Sequence, residues 1–250
     1  MNSVNRLAHK AAFHKVLEHY QLSDDALNTL HKTNLVLLVA PSAGGRNTII
    51  NELVKTGDYR YIVSDTTRKP RLNNGVLEQN GIEYWFREEA DMLHDLEAGE
   101  FLEAEVIHEQ QVSGISIREL ALASSAHKIA ITDVDIGGID NVLRLKPDTI
   151  AILVLPPSFS EWQKRFRLRG SIPKSEEKHR LETAIRIFET ALKDNYLKIV
   201  INEKLATAIK QVDLLARGST PSDAEQRAAQ QQIKQLLDDT RAYLANMQDS

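Results

Sequence analysis

Residues 40–47 form a glycine-containing stretch with residue types that bind phosphate. In such a loop, successive backbone N–H groups and the positive end of the next helix point at a phosphate. The phosphate-binding P-loop pattern is G-x-x-x-x-G-K-S/T, and the chain reads A-x-x-x-x-G-R-N. Gly45 fits strictly. Ala40 replaces the first glycine, Arg46 the lysine and Asn47 the hydroxyl residue that normally contacts Mg²⁺. Alone, the stretch fits a phosphate site or an ordinary turn between a strand and a helix.

A second set of candidate phosphate ligands follows in residues 64–71, where Arg68 and Arg71 flank Pro70. Two planar cations with several donors each, held apart by a stiffened turn, suit a phosphate monoester. A basic loop can also be a simple solvated loop, so this motif by itself leaves both interpretations open.

Two acids, Asp133 and Asp135, end the apolar stretch 128–132. Ligands of open α/β sheets bind at the carboxyl ends of the strands. Beside a P-loop, an acid in this position indicates the Mg²⁺ side of a nucleotide site. The alternative is that the acid caps the helix that follows.

These residues need an α/β scaffold to bring them together. The apolar run 35–39 predicts a buried strand before the loop, and residues 47–55 have helical apolar spacing. Further strands are predicted at 82–86, 101–107, 129–134, 150–155 and 198–202, and helices at 88–98, 159–168, 175–192 and 205–215. The predicted fold is a P-loop NTPase-type three-layer α/β core. It has a mainly parallel sheet of about five strands and a small antiparallel insert between 66 and 116.

Both termini are predicted to be helical. Ser23 is expected to cap a second short helix within residues 3–31, and this segment is expected to cover the core. Thr220 is the predicted N-cap of the last helix, with Pro221 in its first turn. That helix carries one apolar face, formed by Ile233, Leu236, Leu237, Thr240, Leu244 and Met247. The face would dock on this protein or on a second copy, which would make a homodimer through the terminal helices.

The composition limits the classes of function. The 250 residues carry a net charge of −4, which indicates no bulk attraction to nucleic acid or to an anionic membrane. There is no cysteine, which excludes disulfides and thiolate metal sites and fits the reducing cytoplasm. The N-terminus has no continuous apolar core typical of a secretory signal, and no apolar run reaches the ~20 residues of a membrane span.

Taken in order, segments between 34 and 202 resemble the guanylate kinase family. The family's P-loop is followed by S-x-T-T-R-x-P-R, a D-Y-x-F strand, E-F-x-E, D-x-D, a PPS turn, a basic R-x-x-x-R-G lid, a K-R-L helix and V-x-N-D. The matching pieces are 64–71, 83–86, 100–103, 133–135, 156–158, 165–170, 179–181 and 200–203. The resemblance implies a kinase-like domain at 34–216, and the parts of the chain outside it are the predicted N-terminal helical extension at 1–33 and C-terminal helix at 217–250. Within the domain, the monophosphate-binding insert would cover 66–116 and the lid 157–180.

The resemblance also implies where each substrate binds. The acceptor GMP would place its phosphate against Arg68, Arg71 and Tyr84, and its guanine against Ser64 and Glu103. Asp133 and Asp135 would order Mg²⁺-bound water and substrate groups. Mg²⁺ would arrive with ATP, beside Asn47 and Asp133. The implied ATP site comprises Ser42, Ala43, Gly44, Gly45, Arg46, Asn47, Thr48 and Asn202, and the catalytic cations are Arg46 and the lid arginines Arg165, Arg169 and Arg180.

Departures from the family pattern leave two hypotheses. The family's N-Y-Y-G-S/T segment aligns with residues 111–115, where Ser113 replaces a tyrosine and Ile115 a base-reading hydroxyl. One hypothesis is an ATP-dependent nucleoside monophosphate kinase with GMP as acceptor. The other is a catalytically weak or inactive module that binds a nucleotide or a phosphorylated partner. The retained lid arginines, Asp133 and Asn202 favour the enzyme, because a bare binding module does not need them.

Overall fold

The structure is a computed structural model that describes residues 7–73, 75–168, 170 and 173–248. The chain forms two compact units. Unit 1 comprises residues 1–34, 60–130 and 140–147, and unit 2 comprises 35–59, 131–139 and 148–250.

The order of elements alternates strands and helices after two N-terminal helices. The helices are α1 (Lys10–Glu18), α2 (Asp24–Lys32), α3 (Arg46–Lys55), α4 (Glu89–Glu97), α5 (Ile117–Ser125), α6 (Ile139–Leu145), α7 (Phe159–Leu168), α8 (Lys174–Lys193), α9 (Leu205–Ala216) and α10 (Asp223–Gln248). The strands are β1 (Leu35–Val39), β2 (Tyr59–Tyr61), β3 (Asp65–Thr66), β4 (Leu72–Asn73), β5 (Val76–Leu77), β6 (Trp85–Phe86), β7 (Phe101–Ile107), β8 (Gln111–Ser116), β9 (Ile129–Asp133), β10 (Ile150–Leu155) and β11 (Lys198–Ile201).

The main sheet has five strands in the order β11-β10-β1-β9-β2. β1 pairs in parallel with β10, and β10 pairs in parallel with β11. All five residues of β1 are buried, as expected for a continuous apolar strand between two neighbours. The predicted mainly parallel sheet is therefore confirmed, with the strand before the loop lying inside it. β2 and β9 are the strands in which the chain passes between the units.

The C-terminal helix α10 begins later than predicted. Its cap is Ser222 rather than Thr220, and Pro221 lies outside the helix. Ser222 Oγ accepts the backbone N–H of Glu225 at 3.3 Å, while the Glu225 carboxylate accepts the N–H of Ser222 at 2.8 Å. This reciprocal pair satisfies two N–H groups at the helix start, and Thr220 offers no such partner.

The apolar face of α10 is buried against its own chain, where the helix contacts α7, α8 and β11. Its buried residues are Ala229, Ile233, Leu236, Leu237, Thr240 and Leu244. The apolar face therefore docks on its own chain, which is one of the two predicted partners. A homodimer stays a prediction.

Unit 1 is organised around a four-stranded sheet in the order β6-β3-β8-β7. β8 is antiparallel to both β3 and β7, whereas β3 and β6 are parallel, so the insert is mixed rather than wholly antiparallel. The predicted strand 82–86 is shorter, covering Trp85–Phe86 only. Gly81 has a φ of +78° and donates its N–H to the Tyr84 carbonyl at 2.8 Å, so the preceding residues turn instead of extending.

The N-terminal helices α1 and α2 belong to unit 1 and pack against its other elements. Ser23 is the predicted cap, because its hydroxyl accepts the Ala26 N–H at 3.1 Å. α1 contacts α4 and β7, and α2 contacts α5 and β7. The apolar cluster between α1 and the elements α4, β7 and β8 consists of Leu7, Phe13, Met92, Leu96, Phe101 and Val112. The segment therefore packs within its own unit, and its role as a cover of the whole domain's core stays a prediction.

Within the described ranges, none of the helices combines the length and the apolar character that a membrane crossing requires.

Candidate active site

The loop after β1 in unit 2 has the backbone of a tight phosphate-binding turn. Gly44 donates its N–H to the Pro41 carbonyl at 2.8 Å, and Gly45 has a φ of +102° directly before α3. Ala43 also has a positive φ, of 65°. Because Gly45 is in the left-handed region, it turns the chain so that α3 starts at Arg46. The N-terminus of α3 thus adjoins the loop, as an anion site requires.

Asn202, which directly follows β11, is hydrogen-bonded to this loop. Its Nδ2 donates to the Gly44 carbonyl at 3.0 Å, and the residue is buried. Arg165 on α7 donates to the Asn202 carbonyl at 3.0 Å. Two predicted ATP-side residues, far apart in sequence, are therefore joined to the loop through hydrogen bonds.

Ser42 joins the loop to the helices that carry the predicted lid arginines. Trp162 Nε1 on α7 donates to the Ser42 carbonyl at 2.6 Å, and Arg180 on α8 donates to the Ser42 hydroxyl at 3.3 Å. Arg180 and Arg165 each pair with a glutamate four residues earlier, at 2.8 Å and 3.2 Å. Arg169 lies outside the described residues.

Gly45→Ala is expected to weaken ATP binding by roughly 10- to 300-fold, since a lost hydrogen bond costs about 0.5–1.5 kcal/mol and left-handed strain about 1–2 kcal/mol. A Cβ at this position would lie 2.2 Å from Asn202 Nδ2, so the amide would leave the Gly44 carbonyl. Calorimetry with a non-hydrolysable ATP analogue measures the change. Gly57→Ala is the matched control, because Gly57 also has a positive φ of 89° but faces open space. Equal effects of both variants would contradict the proposed role of Asn202.

Arg46 is held by the acid at the end of β9. Its guanidinium lies 2.6 Å from the Asp133 carboxylate, 3.5 Å from the Val134 carbonyl and 3.4 Å from Asn47 Oδ1. Both residues predicted on the Mg²⁺ side, Asn47 and Asp133, thus contact one guanidinium. Thr48, the nearest hydroxyl to position 47, is exposed.

The oxygens at this edge are of the type that Mg²⁺ prefers. Asn47 contributes an amide oxygen, and Asp133 and the exposed Asp135 contribute carboxylates. No group of three or more His, Cys, Asp or Glu side chains that could hold a metal ion occurs among the described residues. The donors therefore fit an ion that arrives with nucleotide phosphates rather than a cage built by the protein alone.

A cavity of about 710 Å³ opens beside the loop within unit 2. One wall is the loop itself, residues 39–47, and the others are residues 134–137 and one face of α8. Its volume lies within the range of ~300–1,000 Å³ that is common for small-molecule sites. Arg186 and Lys193 on α8 add positive charge to the lining.

The predicted acceptor phosphate site lies in unit 1 and is centred on Arg68. The guanidinium forms two hydrogen bonds to the Glu78 carboxylate, at 2.5 Å and 2.9 Å, and stacks over the Tyr84 ring at 4.6 Å from its centroid. Glu78 also accepts the backbone N–H of Arg71 at 2.8 Å. Arg68 and Tyr84 are therefore in contact, and Glu78 joins Arg68 to the backbone of Arg71, whose guanidinium lies 3.4 Å from Gln111 Oε1.

Glu78 was not among the residues singled out from the sequence. The Asn-Asn-Gly sequence at 73–75 is typical of a turn, and Leu72, Val76 and Leu77 on either side form the β4–β5 hairpin. A hairpin with this turn places Glu78 opposite Arg71. Strand pairing across the turn was therefore the sequence signal that could have identified Glu78. Trp162, which fastens the loop, was also missed, and an indole N–H in an apolar helix face carries no such signal.

Glu78 should make the stability of the protein depend on acidity. Its hydrogen bonds with Arg68 lower the pKa of Glu78 from 4.5 to about 2. A carboxyl group with a depressed pKa stabilises the fold above its unfolded pKa, and that contribution is lost as the pH falls towards about 2. We expect Glu78→Gln to lose less stability than the unaltered protein over this interval. Thermal unfolding at a series of pH values tests this, and parallel curves for the two proteins would contradict it.

The other acceptor-site residues lie along the same sheet. Ser64 precedes β3, and its carbonyl accepts the Trp85 N–H at 2.9 Å. Glu103 is a half-buried residue of β7 opposite Ile115 of β8. Ile115 is buried, and the Ser113 hydroxyl donates to Thr66 Oγ1 at 2.8 Å. The two departures from the family pattern are thus absorbed into the packing and hydrogen bonding of unit 1.

Residues 32–217 match the sequence model of the guanylate kinase family. The chain belongs to the guanylate kinase family. It is 32% identical over 180 residues to a guanylate kinase of Corynebacterium diphtheriae, covering 71% of this chain and 91% of that protein. It is 30% identical over 209 residues to a guanylate kinase of Mycobacterium leprae, covering 83% and 95%.

The fold is similar to a crystal structure of guanylate kinase from Anaplasma phagocytophilum, with a TM-score of 0.52 and 18% sequence identity. The likeness covers 84% of this chain and 92% of that one. At this identity the comparison concerns the fold, and the family membership rests on the sequence matches.

Proposed function

We propose that the protein is an ATP-dependent nucleoside monophosphate kinase that transfers the γ-phosphate of ATP to GMP. The observation that carries the proposal is the donor loop, in which Asn202 donates to the Gly44 carbonyl and Arg165 donates to the Asn202 carbonyl. A module that only bound a phosphorylated partner would have no use for this ATP-side arrangement. The relatives described as guanylate kinases support the same reaction.

On the donor side, the proposed ligands of the ATP phosphates are residues 42–48, with Arg165, Arg169 and Arg180 over them and Asn202 near the adenine end. Phosphoryl transfer depends mainly on positioning and charge neutralisation, so the protein needs no nucleophile of its own. Mg²⁺ beside Asn47 and Asp133 would neutralise phosphate charge when bound. The planar guanidinium of Arg46 would bind two phosphate oxygens after release from Asp133.

On the acceptor side, the monophosphate would displace the Glu78 carboxylate from Arg68 or share its donors, with Arg71 and Tyr84 as further ligands. Ser64 and Glu103 would accept hydrogen bonds from the N1–H and the exocyclic amine of guanine. Asp133 and Asp135 would order the remaining substrate groups. The proposed kinase domain covers residues 34–216, with the acceptor insert at 66–116 and the lid at 157–180.

A second candidate is a catalytically weak or inactive module that binds a nucleotide or a phosphorylated partner. The Arg46–Asp133 ion pair favours it, because this pair must open before Arg46 can follow a transferred phosphate. The replacement of a tyrosine by Ser113 and of a base-reading hydroxyl residue by Ile115 points the same way.

A coupled assay of ADP release with GMP, dGMP, AMP and UMP distinguishes the two. The kinase proposal expects ADP formation that depends on both ATP and GMP and is weaker with AMP and UMP. Two results would contradict the kinase proposal and support the binding module. One is ADP release that does not depend on the added monophosphate, and the other is no ADP release although ATP binding is confirmed.

A further inference from the structure

The N-terminal segment, which precedes the family match at residue 32, is bonded to the first residue of β7. The Tyr20 hydroxyl donates to the Phe101 carbonyl and accepts the Phe101 N–H, both at 2.7 Å. Burial raises the pKa of Tyr20 to about 12, so the hydroxyl keeps its proton and can do both. One side chain thus satisfies both backbone groups of Phe101.

Ser23 fastens the residues just before β7. Its backbone N–H donates to the Gly99 carbonyl at 3.1 Å, and its hydroxyl donates to the Glu100 carboxylate at 3.1 Å. The contact is so close that a Cβ on Gly99 would lie 2.5 Å from the Ser23 nitrogen. The connection between α4 and β7 is therefore hydrogen-bonded to the N-terminal segment and packed closely against it.

The same segment reaches the opposite end of the β7–β8 hairpin. Lys10 forms an ion pair with Glu109 in the turn, and His14 Nε2 lies 3.3 Å from the same carboxylate. His108 and Glu109 have positive φ values of 49° and 59°, a conformation that non-glycine residues adopt at some cost. Both ends of β7 are thus tied to the N-terminal segment.

Glu103, the proposed guanine ligand, lies between these ties. The register of β7 against β8 shifts between Phe101 and Glu103, and an irregularity of this kind re-aims the side chains beside it. On the far side, Gly114 packs so tightly that a Cβ there would lie 2.4 Å from the Glu103 carbonyl. The direction of Glu103 therefore depends on how the backbone at Phe101 is held.

We infer that Tyr20 is a positioning residue for base recognition, acting through Phe101 on Glu103. The inference rests on the proposed function, because it assigns Glu103 to guanine. It gives the N-terminal segment a role in choosing the acceptor base as well as in the packing of unit 1.

Tyr20→Phe removes the hydroxyl alone and tests the inference in the full chain. We expect the Kd for GMP in calorimetry to rise about fivefold, the scale of one lost hydrogen bond, with binding of an ATP analogue unchanged. Binding of IMP, which lacks the exocyclic amine, should change less, so discrimination between GMP and IMP narrows. In a Glu103→Gln background, Tyr20→Phe should cause no further loss, because both changes act on one contact.

Tyr59→Phe is the matched control, since it removes a half-buried hydroxyl that donates to Asp213 at 2.7 Å within unit 2. It should lower thermal stability and leave the GMP-to-IMP ratio unchanged. If Tyr20→Phe weakens GMP and IMP equally, weakens neither, or adds fully to Glu103→Gln, Tyr20 is structural only and the inference is overturned. If the unaltered protein binds ATP but not GMP, the proposed function fails with it.

Discussion

Replacing Arg68 with alanine is expected to weaken GMP binding by about 100-fold or more and to leave ATP binding unchanged. Arg68 presents two N–H groups to one carboxylate, and the same fork suits a phosphate. Losing a charged, hydrogen-bonded contact of this kind costs about 2–5 kcal/mol, partly because a charged partner is left without a donor. Calorimetric titration with GMP and with an ATP analogue measures both sites.

The variant also leaves the Glu78 carboxylate without its cationic partner, with only the Arg71 N–H still bonded to it, and the Glu78 side chain is only 11% exposed. Arg68→Ala combined with Glu78→Gln is therefore the matched control, because it removes the stranded charge while the phosphate contact stays absent. GMP binding should remain weak in the double variant. Recovery of GMP affinity there, or an equal loss for both nucleotides, would refute the assignment of Arg68 to the acceptor phosphate.

Restoring the family residues at both divergent loop positions, Arg46→Lys with Asn47→Ser, should raise GMP-dependent ADP formation by about 10²–10³-fold, the scale of one preorganised contact. Arg46 forms an ion pair with Asp133 at 2.6 Å and contacts Asn47. The Asp133 and Asn47 oxygens that would face Mg²⁺ therefore already contact the Arg46 guanidinium. Lysine is a compact charge on a flexible stem that can follow the phosphate. Serine would offer Mg²⁺ a short hydroxyl in place of an amide.

The same reasoning predicts that ATP binding in the unaltered protein depends only weakly on Mg²⁺. A Mg²⁺ titration of ATP-analogue binding should show steeper dependence in the double variant, and Arg46→Lys alone separates the two changes. If ATP binds and the double variant is no faster, the loop is not the limiting defect. A turnover rate of ~1–100 s⁻¹ for the protein without substitutions, which is typical of kinases, would show that Arg46 already replaces the family's lysine fully.

The parts of the fold that were predictable from sequence are those whose own residues determine their structure. β1 and β7 have the predicted bounds, and α7 has them too. The short strands β2 and β3 are polar segments of three and two residues, which have no periodicity of their own and exist because a neighbouring strand pairs with them.

The positions of the candidate residues in the fold were more predictable than the contacts among them. The structure places Arg46 after the glycine loop, Asp133 at a strand end and Arg68 in a turn, as the motifs predicted. The ion pair between Arg46 and Asp133 joins residues on separate elements, and no spacing rule predicts which charges meet there. The roles of these residues toward ATP and GMP remain predictions for the experiments above.

The last helix has a consequence for the timing of turnover. α10 is attached to the helices that carry Arg165 and Arg180: Tyr243 donates to Glu177 at 3.2 Å, and its ring lies 5.5 Å from that of Phe159. Gln232 donates to the carbonyls of Pro156 and Pro157, at 3.3 Å and 3.0 Å, just before α7.

If these helices form the proposed lid, a segment fastened in this way would have less conformational entropy left to lose when nucleotide binds. It would also resist reopening once the products had formed. In such an enzyme, departure of ADP would occupy a larger share of each cycle than in one whose lid swings freely.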